Sequence, residues 1–182
     1  MPNQKIKRGE TVLEARGITK RFPGVVANDG INFDIKAGEI HAILGENGAG
    51  KTTLMKILFG EYLPDEGEIQ ISGQAVKFKS CLDAIDMGIG MVHQHRKLIP
   101  AHTVIENILL GHPRAGRVLN LRDTESEILA LCQKYDFNID LYAKVWQISE
   151  GEKQVVEILK ALYRGAEILI LDEPTSALAP TD

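Results

Sequence analysis

The chain has 182 residues, of which 44% are hydrophobic and 25% are charged, which is typical of about one globular domain with a buried core. Its 21 basic and 25 acidic residues give a formal net charge of −4, so no basic patch indicates a nucleic-acid partner. No apolar segment reaches the ~18 residues of a membrane-spanning helix, and residues 1–10 contain no apolar run of the kind found in secretion signals, so neither secretion nor membrane insertion is expected. Cys81 and Cys132 lie far apart in sequence, which favours reduced thiols.

The first half of the chain alternates strand patterns with turns. Strand patterns on either side of a turn at Phe22–Gly24 precede an apolar run at 40–44, which predicts a further strand. Leu54, Ile57 and Leu58 then recur at helical spacing and predict a helix with one apolar face. The two strand patterns that flank the turn lie at 11–16 and 31–35. The other elements predicted in this half are a hairpin at 68–78, a helix at 80–87 and a strand at 88–92.

The pattern becomes helical from Arg96 to Arg164, which predicts a helical insertion between strands. A strand pattern at 168–171 follows, and strands that alternate with helices favour a parallel core sheet. The first predicted helix runs from the capping box Thr103–Glu106 through Leu110, and the second runs from the capping box Thr124–Glu127 through Tyr135, with a loop at 111–120 between them. The third begins at Ser149, where Ser149 and Glu152 also have the spacing of a capping box, and ends at Gly165. Its predicted apolar face consists of Val155, Ile158, Leu159 and Leu162.

Residues 45–52 have the spacing of the phosphate-binding P-loop, G-x-x-x-x-G-K-[ST]. Backbone N–H groups hold phosphate oxygens in such loops, and glycines let the backbone curl without a Cβ clash. Lys51 is predicted to contact the β- and γ-phosphates and to be catalytic, and the Thr52 hydroxyl is predicted to bind Mg²⁺. A chance glycine-rich turn is the disfavoured alternative, because a strand and a helix are predicted on either side. The predicted nucleotide-binding residues here are Gly45, Glu46, Asn47, Gly48, Ala49, Gly50, Lys51, Thr52 and Thr53.

A second motif has the form of a Walker B element, in which four apolar residues at 168–171 are followed by Asp172 and Glu173. Ligands of open α/β sheets bind at the carboxyl ends of the strands. Asp172 is therefore predicted to hold Mg²⁺, and Glu173 is predicted to polarise an attacking water as a catalytic residue. The alternative, a buried strand that ends in solvated acids, is weakened by the upstream P-loop.

With both motifs in this order, the sequence from about Leu13 to Asp182 resembles the nucleotide-binding ATPase subunits of ABC transporters. The resemblance implies an α/β fold, a P-loop NTPase (RecA-like) core with an N-terminal antiparallel β subdomain and a helical insertion. It implies that residues 1–93 and 165–182 form the core with the β subdomain, and that residues 94–164 form the helical subdomain. It also implies ATP and Mg²⁺ as cofactors.

The resemblance assigns roles to residues outside the two motifs. Phe22 would stack on adenine, although a structural aromatic in a turn is an open alternative. Gln94 would contact Mg²⁺ or the lytic water and act in catalysis. Ser149 and Gly151 match the L-S-G-G-Q signature, whose helix binds the γ-phosphate of ATP held by the opposite subunit. Glu150 replaces a glycine there, and its carboxylate would repel phosphate unless it points away.

Further segments resemble the ATPases of importers of simple sugars and nucleosides, namely 21–27, 91–95, 98–100, 103–107 and 110–111, together with a signature that has Gly-Glu where others have Gly-Gln. The implied partners are membrane permease subunits, a second ATPase subunit or half in a head-to-tail dimer and, indirectly, a solute-binding protein. The implied location is cytoplasmic and peripheral, on the inner face of the cell membrane. No nucleic-acid partner is expected.

Two departures from the family pattern open alternatives. Ala179 stands where the family has an aspartate, and no histidine follows His112 to serve as the family's switch histidine. We therefore expect a truncated domain that lacks its last core strands, with impaired hydrolysis. The alternatives to an ATP-hydrolysing importer subunit are a catalytically impaired nucleotide-binding fragment and a soluble ABC-type ATPase that acts on ribosomes or DNA. A histidine metal site at 93–112 is disfavoured, because no ligand cluster accompanies the histidines.

Overall fold

The computed structural model describes residues 7–94, 97–112 and 121–173, without the side chains of residues 121–123. The chain divides into two compact units, Met1–Met87 and Gly88–Asp182. The assignment of residues 94–164 to a helical subdomain remains a prediction. Among the described residues, no helix combines the length and the apolar character needed to cross a bilayer.

The first unit contains a four-stranded antiparallel sheet in the order β2-β1-β3-β4. The inner face of β1 supplies much of its core, because Leu13, Ala15 and Ile18 are almost completely buried. The elements of this unit are β1 (Thr11–Phe22), β2 (Val25–Lys36), helix α1 (Lys51–Leu58), β3 (Glu66–Ile71), β4 (Gln74–Val76) and helix α2 (Cys81–Asp86).

The first two strands are longer than the sequence pattern predicts. The structure continues β1 to Phe22 and begins β2 at Val25, so the predicted turn is reduced to residues 23–24. Several register shifts between the two strands explain the difference, because each shift interrupts the alternation of buried and exposed residues on which the prediction rests. The predicted hairpin β3–β4 and the helix α2 are confirmed, the latter with a capping box at Ser80.

The predicted strand at 40–44 is wrong. These residues are not assigned to a strand, and Ile40 and Leu44 are 98% and 91% exposed. A strand exists only where a neighbour completes its hydrogen bonds, and no partner strand is assigned to this run within the described part of the chain. The helix that follows is confirmed, and it buries Leu54, Ile57 and Leu58 as predicted.

The second unit contains two parallel strands and several helices. Strands β5 and β6 pair in parallel from Ile89 opposite Ile168 to Val92 opposite Leu171, which confirms the predicted parallel pairing. The elements are β5 (Ile89–Val92), α3 (Val104–Leu109), α4 (Leu121–Tyr135), a 3-10 turn (Val145–Gln147), α5 (Glu150–Tyr163) and β6 (Ile168–Leu171).

The helix starts in this unit are partly as predicted. The capping boxes at Thr103 and Ser149 are both formed and begin α3 and α5, and Gly165, with a φ of 88°, follows the end of α5. The predicted start of α4 at Thr124 is wrong, because the helix already begins at Leu121. Leucine and arginine favour helix and extend it toward the N-terminus. Of the predicted loop at 111–120, residues 113–120 lie outside the described residues.

The helices of the second unit enclose an apolar core, in which Val104, Ile108, Ile128, Val156 and Leu159 are completely buried. Of the predicted apolar face of α5, Leu159 is completely buried, whereas Val155, Ile158 and Leu162 are only partly buried. Val156, which lies outside that face, is completely buried as well. The reason is that α5 contacts α3, α4 and β5, so that its buried surface is wider than one stripe.

Candidate functional site

The loop at 45–49 is exposed and curls around the side chain of Lys51. The Lys51 Nζ donates hydrogen bonds to the carbonyl oxygens of Gly45, at 2.7 Å, and Glu46, at 2.8 Å. Because Lys51 is also the first residue of α1, these hydrogen bonds link the loop to the start of the helix. An ammonium group held at an exposed loop is able to bind an anionic ligand.

The start of α1 has the features of an anion site. Its N-cap is Gly50 in the left-handed conformation, no side chain caps the helix, and its first turn contains no acidic residue. The N-terminus of a helix carries partial positive charge and N–H groups without an intrahelical acceptor. A phosphate is the type of group that such an end binds, and Thr52 and Thr53 lie in the same turn.

Strand β2 supports the loop from behind. The Asn28 Nδ2 donates a hydrogen bond to the Gly50 carbonyl oxygen at 3.2 Å, and the β2 backbone is so near that a Cβ at Gly50 would lie 2.0 Å from the Ala27 oxygen. Asn28 is not among the predicted site residues, because an Asn-Asp-Gly run is typical of a turn and no strand is predicted there. A buried position for this asparagine follows only from the irregular pairing of β2 with β1.

Phe22 ends β1 and is partly buried. Its ring contacts Tyr62 edge to face, with the centroids 5.6 Å apart and an interplanar angle of 73°, and the Lys20 Nζ lies 5.7 Å from the Phe22 centroid. This packing agrees with the structural alternative for Phe22. Its role as an adenine-stacking residue therefore remains a prediction. No local pattern indicates its partner Tyr62, which lies 40 positions further along the chain.

In the second unit, the carboxyl ends of β5 and β6 bring two predicted catalytic residues together. The Gln94 Nε2 donates a hydrogen bond to Glu173 Oε2 at 2.7 Å. Asp172 is 5% exposed, and its backbone N–H donates to the Val92 carbonyl oxygen, which extends the parallel pairing by one residue. Glu173 has a φ of 49°, a left-handed conformation that few residues other than glycine adopt and that is frequent at functional sites.

The residues predicted to hold Mg²⁺ offer suitable donor atoms. Thr52 supplies a hydroxyl oxygen in the first unit, and Gln94 and Asp172 supply an amide oxygen and a carboxylate in the second. Mg²⁺ binds oxygen ligands of these types and keeps several waters. The donor set fits the ion in its chemistry.

The start of α5 differs from that of α1 because its own side chains satisfy it. Ser149 Oγ accepts from the Glu152 backbone N–H at 3.2 Å, and Glu152 Oε2 accepts from the Ser149 N–H at 2.8 Å. Glu150 Oε1 forms an ion pair with Lys153 Nζ at 2.6 Å, one turn along the helix, which partly neutralises the carboxylate. Gly151 lies in the same first turn.

The predicted site residues thus fall into two groups. The first unit holds Phe22 and the loop residues 45–53, and the second holds Gln94, Ser149, Gly151, Asp172 and Glu173. The convergence of both groups on one nucleotide remains a prediction. Ala179 and His95 lie outside the described residues.

Comparison with protein families gives one match over most of the chain. The sequence description of the family "ABC transporter" matches residues 28–176. This range includes the loop at 45–52, the start of α5 and the end of β6.

Curated relatives are similar over nearly the whole chain. The glucose import ATP-binding protein TsgD13 of Haloferax volcanii is 48% identical and matches 95% of this chain and 37% of its own length. The guanosine import ATP-binding protein NupO of Bacillus subtilis is 51% identical, with 94% and 34% covered, and the ribose import ATP-binding protein RbsA of Hahella chejuensis is 48% identical, with 94% and 35% covered. The chain spans about a third of the length of these relatives.

Solved structures agree with the expected fold. A nucleotide-free ATP-binding cassette from an ABC transporter superposes with a TM-score of 0.80 at 24% identity, covering 94% of this chain and 72% of that one. A dimeric bacterial ABC transporter cassette superposes with a TM-score of 0.77 at 28% identity, covering 93% and 77%. The predicted fold class, an ABC-type α/β cassette with an antiparallel β subdomain, is confirmed.

Proposed function

The chain belongs to the ABC transporter family, and we propose that it is the ATP-binding and ATP-hydrolysing part of an importer for simple sugars or nucleosides. The observation that carries this proposal is the start of α1, where Lys51 Nζ is held by the carbonyls of Gly45 and Glu46 at an uncapped helix end. This arrangement supplies both a cation and backbone N–H groups to a triphosphate.

In the proposed mechanism, the residues of the first unit bind and orient ATP. Lys51 exchanges its two carbonyl acceptors for the β- and γ-phosphate oxygens, which are stronger acceptors because they are charged. The loop residues 45–50 contribute backbone N–H groups, and Phe22 contributes a partly exposed ring to the base. Thr52 and Asp172 would hold Mg²⁺, which supplies charge neutralisation at the phosphates when bound.

Glu173 acts as the general base in this proposal and accepts a proton from the attacking water. Gln94 is bonded to Glu173 Oε2 at 2.7 Å and therefore orients that carboxylate. A carboxylate with a fixed direction positions the water in line with the γ-phosphate, and phosphoryl transfer depends mainly on positioning and charge stabilisation.

The start of α5 serves a second subunit or half in this proposal. Ser149 and Gly151 would contact the γ-phosphate of the partner's ATP in a head-to-tail dimer, and the Glu150–Lys153 ion pair reduces the repulsion that Glu150 causes. The similarity to a dimeric cassette supports this arrangement.

The relatives support the importer class. Their names describe glucose, guanosine and ribose import, which agrees with simple sugars or nucleosides as the solute class and disfavours a soluble ATPase of ribosomes or DNA. We therefore propose permease subunits as membrane partners, a solute-binding protein as an indirect partner, and a peripheral position on the cytoplasmic face of the cell membrane.

The test is the binding of a fluorescent ATP analogue to the 182-residue chain and to Lys51→Ala. We expect the substitution to weaken binding by roughly 10- to 100-fold, because a charge-assisted contact to phosphate is lost. Lys56→Ala is the matched control, because Lys56 lies on the same helix but pairs with Glu61 at 3.0 Å. Equal binding by wild type and Lys51→Ala would contradict the proposal.

A further inference from the structure

Asn28 is a buried polar residue whose hydrogen bonding is incomplete. It is 5% exposed and is the only fully buried residue of strand β2, all of which is described. Its Nδ2 donates to the Gly50 oxygen at 3.2 Å, whereas its buried Oδ1 has no hydrogen-bond partner among the described residues. Asn107, the other buried asparagine in the described part of the chain, differs from it, because both ends of its amide form hydrogen bonds, with Ile99 and Thr103.

The half-paired side-chain amide of Asn28 contributes little to the stability of the folded chain. Burying a polar group without a partner costs free energy, and one hydrogen bond of 3.2 Å offsets only part of that cost. An apolar side chain of the same branching would fill the same space without the unpaired oxygen. The benefit of Asn28 must therefore lie in what its one hydrogen bond holds in place.

That bond acts on the peptide that joins the loop to α1. The Gly50 oxygen already accepts the first helical bond, from the Leu54 N–H at 2.9 Å, and Asn28 occupies its second acceptor direction. Because a trans peptide is planar, fixing the Gly50 C=O also fixes the Lys51 N–H in the opposite direction. This N–H belongs to the uncapped helix end at which the proposed function places a phosphate.

We propose that Asn28 is a positioning residue for the phosphate-binding loop, which orients the Gly50–Lys51 peptide from behind at a cost in stability. This inference deepens the proposed function and rests on it for the identity of the ligand. Asn28 does not contact the nucleotide; it acts through Gly50. The tight approach of Ala27 to Gly50 holds the same peptide by contact, and Asn28 adds direction to that contact.

The test substitutes Asn28→Leu in the 182-residue chain and measures amide hydrogen exchange without nucleotide, affinity for the fluorescent ATP analogue, and thermal unfolding. We expect exchange in peptides covering 45–52 to be about 3- to 10-fold faster and affinity to be weaker by a similar factor, as for the loss of one hydrogen bond. The midpoint of thermal unfolding should stay constant or rise, which a purely structural role does not predict.

Asn32→Leu is the matched control, because Asn32 lies on the same strand and bonds to Gly17 and Gly30 instead of the loop. It should lower the unfolding midpoint and leave exchange at 45–52 and affinity unchanged. Asn28→Ala repeats the test without added volume if the leucine variant does not fold.

Unchanged exchange at 45–52 in Asn28→Leu or Asn28→Ala, or an increase spread over the whole chain, overturns the inference. Failure of the proposed function is recognised separately, by equal nucleotide binding in wild type and Lys51→Ala. The exchange measurement still decides the role of Asn28 in that case, because it needs no nucleotide.

Discussion

The starts of α1 and α5 are two helix N-termini that carry the same partial positive charge and differ in how they are capped. At α1 a left-handed glycine, Gly50, stands at the N-cap, with no side-chain cap and no acidic residue in the first turn. At α5 the box of Ser149 and Glu152 satisfies two N–H groups, and Glu150 adds a second carboxylate beside the positive helix end.

In the proposed function, this difference separates a helix start that binds a ligand from one that its own side chains satisfy. No side chain caps the α1 end, and Asn28 and Lys51 donate hydrogen bonds to carbonyl oxygens of the residues that precede it. The α5 end is complete without a ligand, so a phosphate that binds there has to compete with Glu152. We therefore expect α1 to bind phosphate in the isolated chain and α5 to bind it only when a partner subunit presents the nucleotide.

The largest expected effect is a difference in unfolding free energy between alanine substitutions of Gly48 and Gly50, two glycines that share a φ of 85°. In Gly50→Ala the new Cβ would lie 2.0 Å from the Ala27 oxygen, whereas in Gly48→Ala it meets nothing within 4 Å. Both variants pay for a left-handed alanine, about 1–2 kcal/mol, and Gly50→Ala also overpacks the backbone, for roughly 2–5 kcal/mol in all. Urea unfolding measures the difference.

Nucleotide binding should be lost in Gly50→Ala, because the overpacked loop no longer presents its N–H groups in the same direction. Equal unfolding free energies for the two variants would show that β2 does not press on the loop, and the contrast between the two helix starts would lose its structural basis.

A smaller effect is expected at the capped helix. Ser149→Ala removes the acceptor for the Glu152 N–H and should destabilise the chain by about 0.5–2 kcal/mol in urea unfolding. Ser149→Asn keeps a good N-cap and should restore most of that stability. Nucleotide affinity of the isolated chain should stay the same in both variants. A loss of affinity in either one would mean that α5 already binds nucleotide without a partner.

The smallest expected effect is a change in how the stability of the chain falls at acid pH. The N–H of Thr103 donates to Glu106 in the capping box of α3, and this bond holds the pKa of the Glu106 carboxyl below its ordinary value of 4.5. A lowered pKa in the folded state means stability that is fully present above about pH 4.5 and is lost as pH falls below it.

Glu106→Gln should therefore show a flatter decline of the unfolding midpoint below pH 4.5 than wild type, because the neutral amide does not titrate there. An unchanged acid profile would count against a carboxylate cap at α3. The start of α1 contributes no such effect, since its first turn has no acidic residue.

Local patterns in the sequence predicted the parts of this protein that depend on neighbours in the chain. The capping boxes at Thr103 and Ser149, the helix after the loop and the turn of β3–β4 are confirmed, because each depends on hydrogen bonds and glycine conformations within a few residues. The P-loop spacing belongs to the same class and led to the family without any tertiary information.

Long-range pairing decided the rest. The run at 40–44 has the apolar composition of a strand and remains exposed, since a strand needs a partner whose position no local pattern contains. The bond between Gln94 and Glu173 joins residues 79 positions apart and exists because β5 and β6 pair in parallel. Asn28 is the clearest case, because the Asn-Asp-Gly sequence suggests a turn and only the irregular pairing of β2 with β1 buries this asparagine behind Gly50.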